Sequence, residues 1–192
     1  QRELESKLIG AKIPGFFPTP PGLVREMVRR AELAKYSQII LEPSAGIGSI
    51  ADEIAKYPQH MLHACELNND LREILTKRGH KLVGADFLEY EPERLYSDGA
   101  VMFAGYDRIL MNPPFENHAD IQHVRHAYSM LAPEGILVVI LSEHSFFANH
   151  RADVEFMEWL SEVGGTSEKL PPGTFQSSQR PTGVNTRLVE VR

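Results

Sequence analysis

Short apolar runs alternate with amphipathic segments along most of this chain. The apolar runs predict seven strands, at 38–41, 61–65, 81–83, 106–111, 136–141, 166–170 and 184–191. The run at 136–141 contains no charged residue, which is typical of a central strand buried on both faces of a sheet.

The segments between these runs predict helices. Apolar residues recur at helical spacing in 1–9, 49–57, 120–131 and 154–163, in a segment capped by Thr19 that extends to Ala31, and in one from a cap at Asn68 or Asn69 to Gly79. A short helical turn is predicted at 91–96. The alternation predicts a doubly wound α/β fold, with a mostly parallel, seven-stranded Rossmann-like sheet that ends in an antiparallel hairpin strand.

Composition narrows the class of protein. At 192 residues, 42% hydrophobic and 24% charged, the chain fits one compact domain. Its net charge of -6 gives no global basic field, so any contact with nucleic acid must be local or supplied by a partner. The single cysteine, Cys65, excludes an intrachain disulfide framework. With no membrane-length apolar run and no signal peptide pattern, we expect a cytoplasmic protein without a membrane partner.

A stiff corner follows the strand predicted at 106–111. It is formed by Asn112-Pro113-Pro114-Phe115, whose prolines have fixed φ and no N–H group. Ligands of open α/β sheets bind at the carboxyl ends of strands. There, the Asn112 side-chain oxygen and the Pro113 carbonyl form an acceptor pair beside the Phe115 ring, which suits a planar group carrying an NH2. The same residues also fit a plain turn in which Phe115 only packs.

A second motif joins the first predicted strand to its helix. The turn from Glu42 to Gly48 is rich in glycine, and Glu66 ends the next strand, where an acid can accept hydrogen bonds from ribose hydroxyls. This much fits a nicotinamide enzyme and a nucleoside-binding transferase equally. Glu42 would repel a pyrophosphate and attract an ammonium group, and Asp86 with Phe87 offers an acceptor beside an aromatic ring for adenine. These two features favour S-adenosylmethionine, whereas solvated carboxylates around an ordinary turn are the alternative.

With these residues, the chain resembles the class I S-adenosylmethionine-dependent methyltransferases, especially the N6-adenine DNA methyltransferases, from Phe16 to Val191. The segment 16–20 resembles the motif that closes over the methionine end of the cofactor, 112–115 matches the catalytic motif [DNS]-P-P-[YFW], and 170–175 resembles the turn after the sixth strand. The resemblance implies catalytic roles for Asn112, Pro113, Pro114 and Phe115. It implies cofactor contacts from Phe17, Thr19, Glu42, Ser44, Gly46, Gly48, Glu66, Leu67, Asp86, Phe87 and Asn112.

The implied substrate is N6 of adenine in DNA, with Phe115 stacking the extruded base. We expect 1–192 to be a single catalytic domain, in which 1–35 is a helical lead and cofactor-closing segment. Such enzymes usually carry a target-recognition domain, for which there is no room here. A partner subunit, a recognition domain outside this chain or a single-stranded target would compensate. Lys169 and Arg180, in a stretch without acidic residues, are the predicted substrate contacts, and a solvated loop is the alternative.

Other functions remain open at this point. Adenine in RNA and a protein glutamine amide present the same planar NH2. A non-catalytic module that binds the cofactor or a protein partner, and a nicotinamide oxidoreductase, are the alternatives from other classes. His118, His123 and His126 flank the catalytic motif, but a metal site needs a further ligand and supporting hydrogen bonds, so we expect no metal.

Overall fold

The computed structural model describes residues 17–33, 35–92, 96–97, 100–101, 104–147, 150–177 and 183–192. The helix predicted at 1–9 lies outside these ranges. The helices are α1 (Pro21–Arg30), α2 (Ser49–Ile54), α3 (Asn69–Lys77), α4 (Ala119–Ser129) and α5 (Arg151–Glu162), with 3₁₀ helices at Phe87–Glu89, Glu116–His118, Glu143–Phe146 and Thr174–Ser177. The strands are β1 (Ile39–Glu42), β2 (Met61–Cys65), β3 (Lys81–Gly84), β4 (Tyr96–Ser97), β5 (Ala100–Val101), β6 (Tyr106–Met111), β7 (Leu131–Ser142), β8 (Thr166–Lys169) and β9 (Thr186–Val191).

Seven of these strands form one sheet in the order β3-β2-β1-β6-β7-β9-β8. The pairings from β3 to β7 are parallel, whereas β9 runs antiparallel to both β7 and β8. This arrangement confirms the predicted sheet and its antiparallel C-terminal strand. Because the parallel strands point the same way, the turns after β1, β2, β3 and β6 all lie at one edge.

Both faces of the sheet are covered, because neighbouring residues of a strand point to opposite sides. In β6, Ile109 and Met111 pack with residues of α4 and α5, whereas Leu110 packs with α1 and α2. In β7, Val139 and Ile140 divide in the same way. The central strands are therefore buried on both sides, and the loop that follows β6 is held on a rigid base.

The structure corrects the predicted start of β7. This strand begins at Leu131, not at 136, and includes Pro133-Glu134-Gly135, whereas the preceding helix, predicted to reach 131, is α4 and ends at Ser129. Tyr106 pairs with Leu131, but Arg108 pairs with Ile136, so the register shifts between these two pairs. Residues 132–135 bulge out of the ladder, with Glu134 at φ of +63°, and the pairing of Leu131 with β6 extends β7 beyond this turn.

Smaller differences occur elsewhere. α1 has Pro20 at its N-cap with no side-chain bond, so the predicted cap at Thr19 is wrong. Asn68 does cap α3, accepting hydrogen bonds from two backbone N–H groups. α2 ends at Ile54, before the predicted 57, and α5 starts at Arg151, before the predicted 154.

The helical turn predicted at 91–96 is wrong at its described end. Tyr96 pairs with Val101 in an antiparallel ladder of two residues on each side. Residues 93–95 lie outside the described part of the chain. The sequence between the two strands, Asp98-Gly99, is typical of hairpin turns.

No helix within the described ranges has the length and apolar character needed to cross a membrane.

We predict that Gly105→Ala destabilises the protein by at least about 2 kcal/mol. Gly105 has φ of +130°, and a Cβ there would lie 2.6 Å from the Ala132 backbone nitrogen. Gly22→Ala is the matched control, because a Cβ at Gly22 would meet no atom within 4 Å and alanine favours the helix by up to about 1 kcal/mol. Denaturant unfolding should show opposite shifts for the two variants, and equal stabilities would contradict the close approach at Gly105.

Candidate active site

A cavity of about 710 Å³ lies at the carboxyl edge of the sheet. Of the residues predicted to form the site, its walls include Phe17, Thr19, Glu42, Ser44, Gly46, Glu66, Leu67, Asp86, Phe87, Asn112 and Pro114. Residues far apart in sequence therefore meet around one space. Gly48 and Pro113 are not part of the wall: Gly48 stands at the N-cap of α2 with φ of +91°, and Pro113 is buried.

Asn112 follows the last residue of β6, and its side chain hydrogen-bonds to the segment before α1. Its Nδ2 donates hydrogen bonds to the Phe17 carbonyl at 2.9 Å and to the Thr19 Oγ1 at 3.1 Å. The hydroxyl predicted to cap α1 is used here instead. Because both bonds use the amide nitrogen, the amide orientation is fixed and Oδ1 is left as an acceptor.

Phe115, whose ring was expected to stack on an extruded base, is not freely exposed. The side chain is only partly exposed and packs against the hydrophobic cluster formed with α1 and α2, and it is not among the residues of the cavity wall. The apolar Phe115 ring thus adds to the core on the α1 and α2 side of the sheet, and Pro113, two residues earlier in the chain, is also buried. Asn117 and His118, which follow, have φ of +54° and +57°, so the chain turns sharply before α4.

The glycine-rich turn is held by a carboxylate from the next strand. Glu66 Oε2 accepts from the Gly46 N–H at 2.7 Å, and Oε1 accepts from the Asn68 N–H at 2.8 Å. Burial raises the pKa of Glu66, while these backbone donors oppose the shift. Each carboxylate oxygen can accept more than one hydrogen bond, so both can still receive donors from a ligand.

Glu42 contributes a second acid from the end of β1. It is 1% exposed, and its Oε2 has no hydrogen-bond partner. Burial raises the pKa of this carboxyl well above its usual value, a backbone hydrogen bond from Ala51 opposes the shift, and Asp52 and Glu66 add to it. A buried carboxyl oxygen without a partner is costly, so this wall favours a ligand that brings a positive charge or a hydrogen-bond donor.

The far wall combines an acid with apolar side chains. Asp86 Oδ1 accepts from the Leu88 N–H at 2.9 Å and caps the short helix that follows β3. Leu67 and Leu88 are 69% and 39% exposed and offer apolar surface to a flat ring. Leu88 was not predicted; it lies two residues after Asp86, whereas Leu67 directly follows Glu66. Phe87 is 3% exposed, so most of its ring belongs to the core.

His123 also lines the cavity. From the sequence, this residue was considered only as a possible metal ligand, and no metal was expected. The first turns of α4 lie at the carboxyl edge, which brings this side chain beside Phe87, with 5.6 Å between ring centroids. Among the described residues, no group of three or more His, Cys, Asp or Glu could hold a metal ion.

Of the two basic residues predicted to contact substrate, only Lys169 is among the described residues, and it is not part of the cavity wall. Lys169 borders a separate cleft, where its Nζ lies 2.6 Å from Glu143 Oε1, so its charge is partly neutralised. Arg180 lies outside the described residues.

We predict that Glu42→Gln flattens the dependence of stability on pH. In the native protein Glu42 keeps its proton above the value near 4.5 at which an exposed carboxyl loses it, so the native state binds more protons than the unfolded state. Stability should therefore fall as pH rises from that value through the raised pKa. Denaturant unfolding between about pH 5 and pH 8 should show a smaller decline for Glu42→Gln than for the native protein. Glu158→Gln, on the exposed side of α5, controls for loss of one charge, and parallel curves for all three would refute the assignment.

Comparison with known proteins places the fold. No family model and no curated protein matches the chain. Among solved structures, the chain is similar to TrmN from Thermus thermophilus, with a TM-score of 0.61 and 20% identity. The match covers all of this chain and 52% of TrmN. It is also similar to a putative class I S-adenosylmethionine-dependent methyltransferase from Listeria monocytogenes, with a TM-score of 0.70 and 14% identity. This match covers all of this chain and 66% of the Listeria protein.

A putative RNA methyltransferase from Pyrococcus horikoshii is also similar, with a TM-score of 0.60 and 14% identity over 98% of this chain and 95% of that one. The chain thus spans about half the length of TrmN and about two thirds of the Listeria protein. The strand order and these similarities together give the conclusion that the chain has the Rossmann-like fold of the class I S-adenosylmethionine-dependent methyltransferases.

Proposed function

We propose that this protein is an S-adenosylmethionine-dependent N-methyltransferase that acts on N6 of adenine in DNA. The observation that carries the proposal is the fixed amide of Asn112. Its nitrogen is held by Phe17 and Thr19 at the rim of an acid-lined cavity, which leaves its oxygen to accept from a substrate amine.

The cavity walls fit the proposed cofactor. The unpartnered Glu42 Oε2 suits the ammonium of the methionine part, the Glu66 oxygens suit a pair of ribose hydroxyls, and Asp86, with Leu67 and Leu88 in the same cavity, suits an adenine. In the proposal, Ser44, Gly46 and Gly48 shape the turn beneath the cofactor, and Phe17 and Thr19 close over its methionine end. When bound, S-adenosylmethionine supplies a methyl group already activated by a sulfonium.

The protein then has to prepare the nucleophile. The amino nitrogen of adenine shares its lone pair with the ring and is a poor nucleophile. Hydrogen bonds from its two N–H groups to Asn112 Oδ1 and the Pro113 carbonyl favour a more tetrahedral nitrogen, whose lone pair is available to attack. Pro113 and Pro114 keep this acceptor pair stiff, so positioning accounts for much of the rate. We assign no separate general base, and the proton released from the nitrogen passes to water.

Phe115 is proposed to stack against the extruded base with the exposed part of its ring. Extruding a base from a duplex costs a few kcal/mol, and the net charge of -6 gives the chain no overall attraction to DNA that would offset this cost. A partner subunit or a recognition domain outside this chain is therefore part of the proposal, with Lys169 and Arg180 as the local contacts. A single-stranded target would reduce the requirement.

The alternative functions differ in their support. Adenine in RNA fits the same acceptor pair, and the similar Pyrococcus protein is described as a putative RNA methyltransferase. A nicotinamide oxidoreductase is disfavoured, because dinucleotide-binding sheets have the order 3-2-1-4-5-6, whereas here the antiparallel β9 lies between β7 and β8. Protein glutamine amides remain a further substrate to be tested.

We predict that Asn112→Ala lowers methyl transfer by about 10²- to 10³-fold and leaves cofactor binding within about tenfold of the native value. The measurement is transfer of a labelled methyl group to pools of DNA, RNA and protein, with S-adenosylmethionine binding measured in the same samples. Label on DNA adenine supports the proposed substrate, and label on another pool replaces it.

Thr19→Val is the matched control, because it removes one of the two acceptors of Asn112 Nδ2 but keeps Oδ1. Because Thr19 is also proposed to contact the cofactor, transfer is measured at saturating S-adenosylmethionine, where the rate should stay within about tenfold of the native rate. If Asn112→Ala abolishes cofactor binding, or if both variants lose transfer equally, the acceptor role of Asn112 Oδ1 is wrong.

A further inference from the structure

The tautomer of His123 can be assigned from its contacts. Nδ1 lies 2.7 Å from the Ala119 carbonyl oxygen. A carbonyl oxygen can only accept, so Nδ1 must carry the hydrogen of this bond. In a neutral imidazole the other nitrogen, Nε2, then holds a lone pair and is an acceptor.

The ring is held neutral by its surroundings. Burial lowers the pKa of His123 below its usual value of 6.5; the hydrogen bond to Ala119 and nearby Asp86 oppose the shift, and nearby His126 adds to it. Near neutral pH, Nε2 therefore accepts hydrogen bonds and does not donate them.

Nε2 is also available to a ligand. No described residue donates a hydrogen bond to it, and the side chain lines the cavity together with Asp86 and Phe87. Asp86 uses Oδ1 to accept from the Leu88 N–H, and its carboxylate can accept further bonds. Two acceptors, one from the end of β3 and one from α4, therefore occupy the same wall.

We propose that His123 Nε2 and the Asp86 carboxylate together accept the two N–H groups of the adenine amino group of the cofactor, so that His123 makes the cavity selective for adenine over hypoxanthine. This inference rests on the proposed cofactor and adds a specificity-determining residue to it. In hypoxanthine a carbonyl oxygen replaces the amino group, so two acceptors would face a third acceptor. A site built to bind NH groups rejects analogues that lack them because its polar atoms are left unpaired.

The test compares S-adenosylhomocysteine with S-inosylhomocysteine, its deaminated analogue, by titration calorimetry. The native protein should bind the adenine compound more tightly. His123→Leu should weaken binding of S-adenosylhomocysteine by about three- to tenfold without weakening that of S-inosylhomocysteine, so that the ratio of the two dissociation constants falls. His123→Gln, whose amide oxygen can reach the position of Nε2, should restore most of the ratio.

His126→Leu is the matched control. His126 packs against the same Phe87, with ring centroids 4.9 Å apart, but its Nε2 bonds to the Tyr90 carbonyl and it is not part of the cavity wall. This variant should keep the native ratio. If His123→Leu does not fold, His123→Asn replaces it, because the shorter amide cannot reach the position of Nε2.

The outcomes distinguish a wrong role for His123 from a wrong cofactor. An unchanged ratio in His123→Leu, or equal weakening of both compounds, would show that the residue only supports the fold and would overturn the inference. Failure of the native protein to bind S-adenosylhomocysteine at all would overturn the proposed cofactor itself.

Discussion

The pair of hydrogen bonds donated by Asn112 Nδ2 is the interaction on which the proposed site depends. It joins the end of β6 to the segment before α1, where the two acceptors lie 95 and 93 residues away in sequence. Without it, the Asn112 amide could rotate and the segment at 17–19 would lose its hydrogen bonds to the loop after β6. The double proline and the buried strand beneath it limit the remaining freedom of the loop, so one side-chain amide determines both where the cavity ends and where a substrate amine would bind.

Electrostatics explain which ligands suit the cavity. Glu42 and Glu66 are both buried in its walls, and burial raises the pKa of both. Backbone N–H groups compensate Glu66 on both oxygens, whereas Glu42 keeps an oxygen without a partner. A bound ammonium group would favour loss of the Glu42 proton and supply the missing partner, whereas a polyphosphate would bring a second acidic group and no donor. The difference between these two acids, and not the glycine-rich turn alone, separates a methyl donor from a dinucleotide.

Much of this arrangement could be predicted from the sequence, because it depends on local signals. Apolar runs indicated the seven strands of the sheet, and residues that follow parallel strands must meet at one edge, so Glu42, Glu66, Asp86 and Asn112 were expected to be neighbours. Features decided by tertiary contacts could not be predicted. The extension of β7 depends on pairing with β6, the burial of the Phe115 ring depends on space left in the core, and the Thr19 hydroxyl exchanges a helix cap for a bond from Asn112. The position of His123 in the cavity follows from how α4 docks, for which the sequence carried no separate signal.

Titration calorimetry with S-adenosylmethionine, and in parallel with NAD⁺, has the greatest bearing on the proposed cofactor. We expect one binding site for S-adenosylmethionine, none for NAD⁺, and weaker binding of S-adenosylmethionine when Glu42 is replaced by Gln. Absence of binding, or preference for NAD⁺, would contradict the proposed cofactor and return Asn112-Pro113-Pro114-Phe115 to the status of a structural turn.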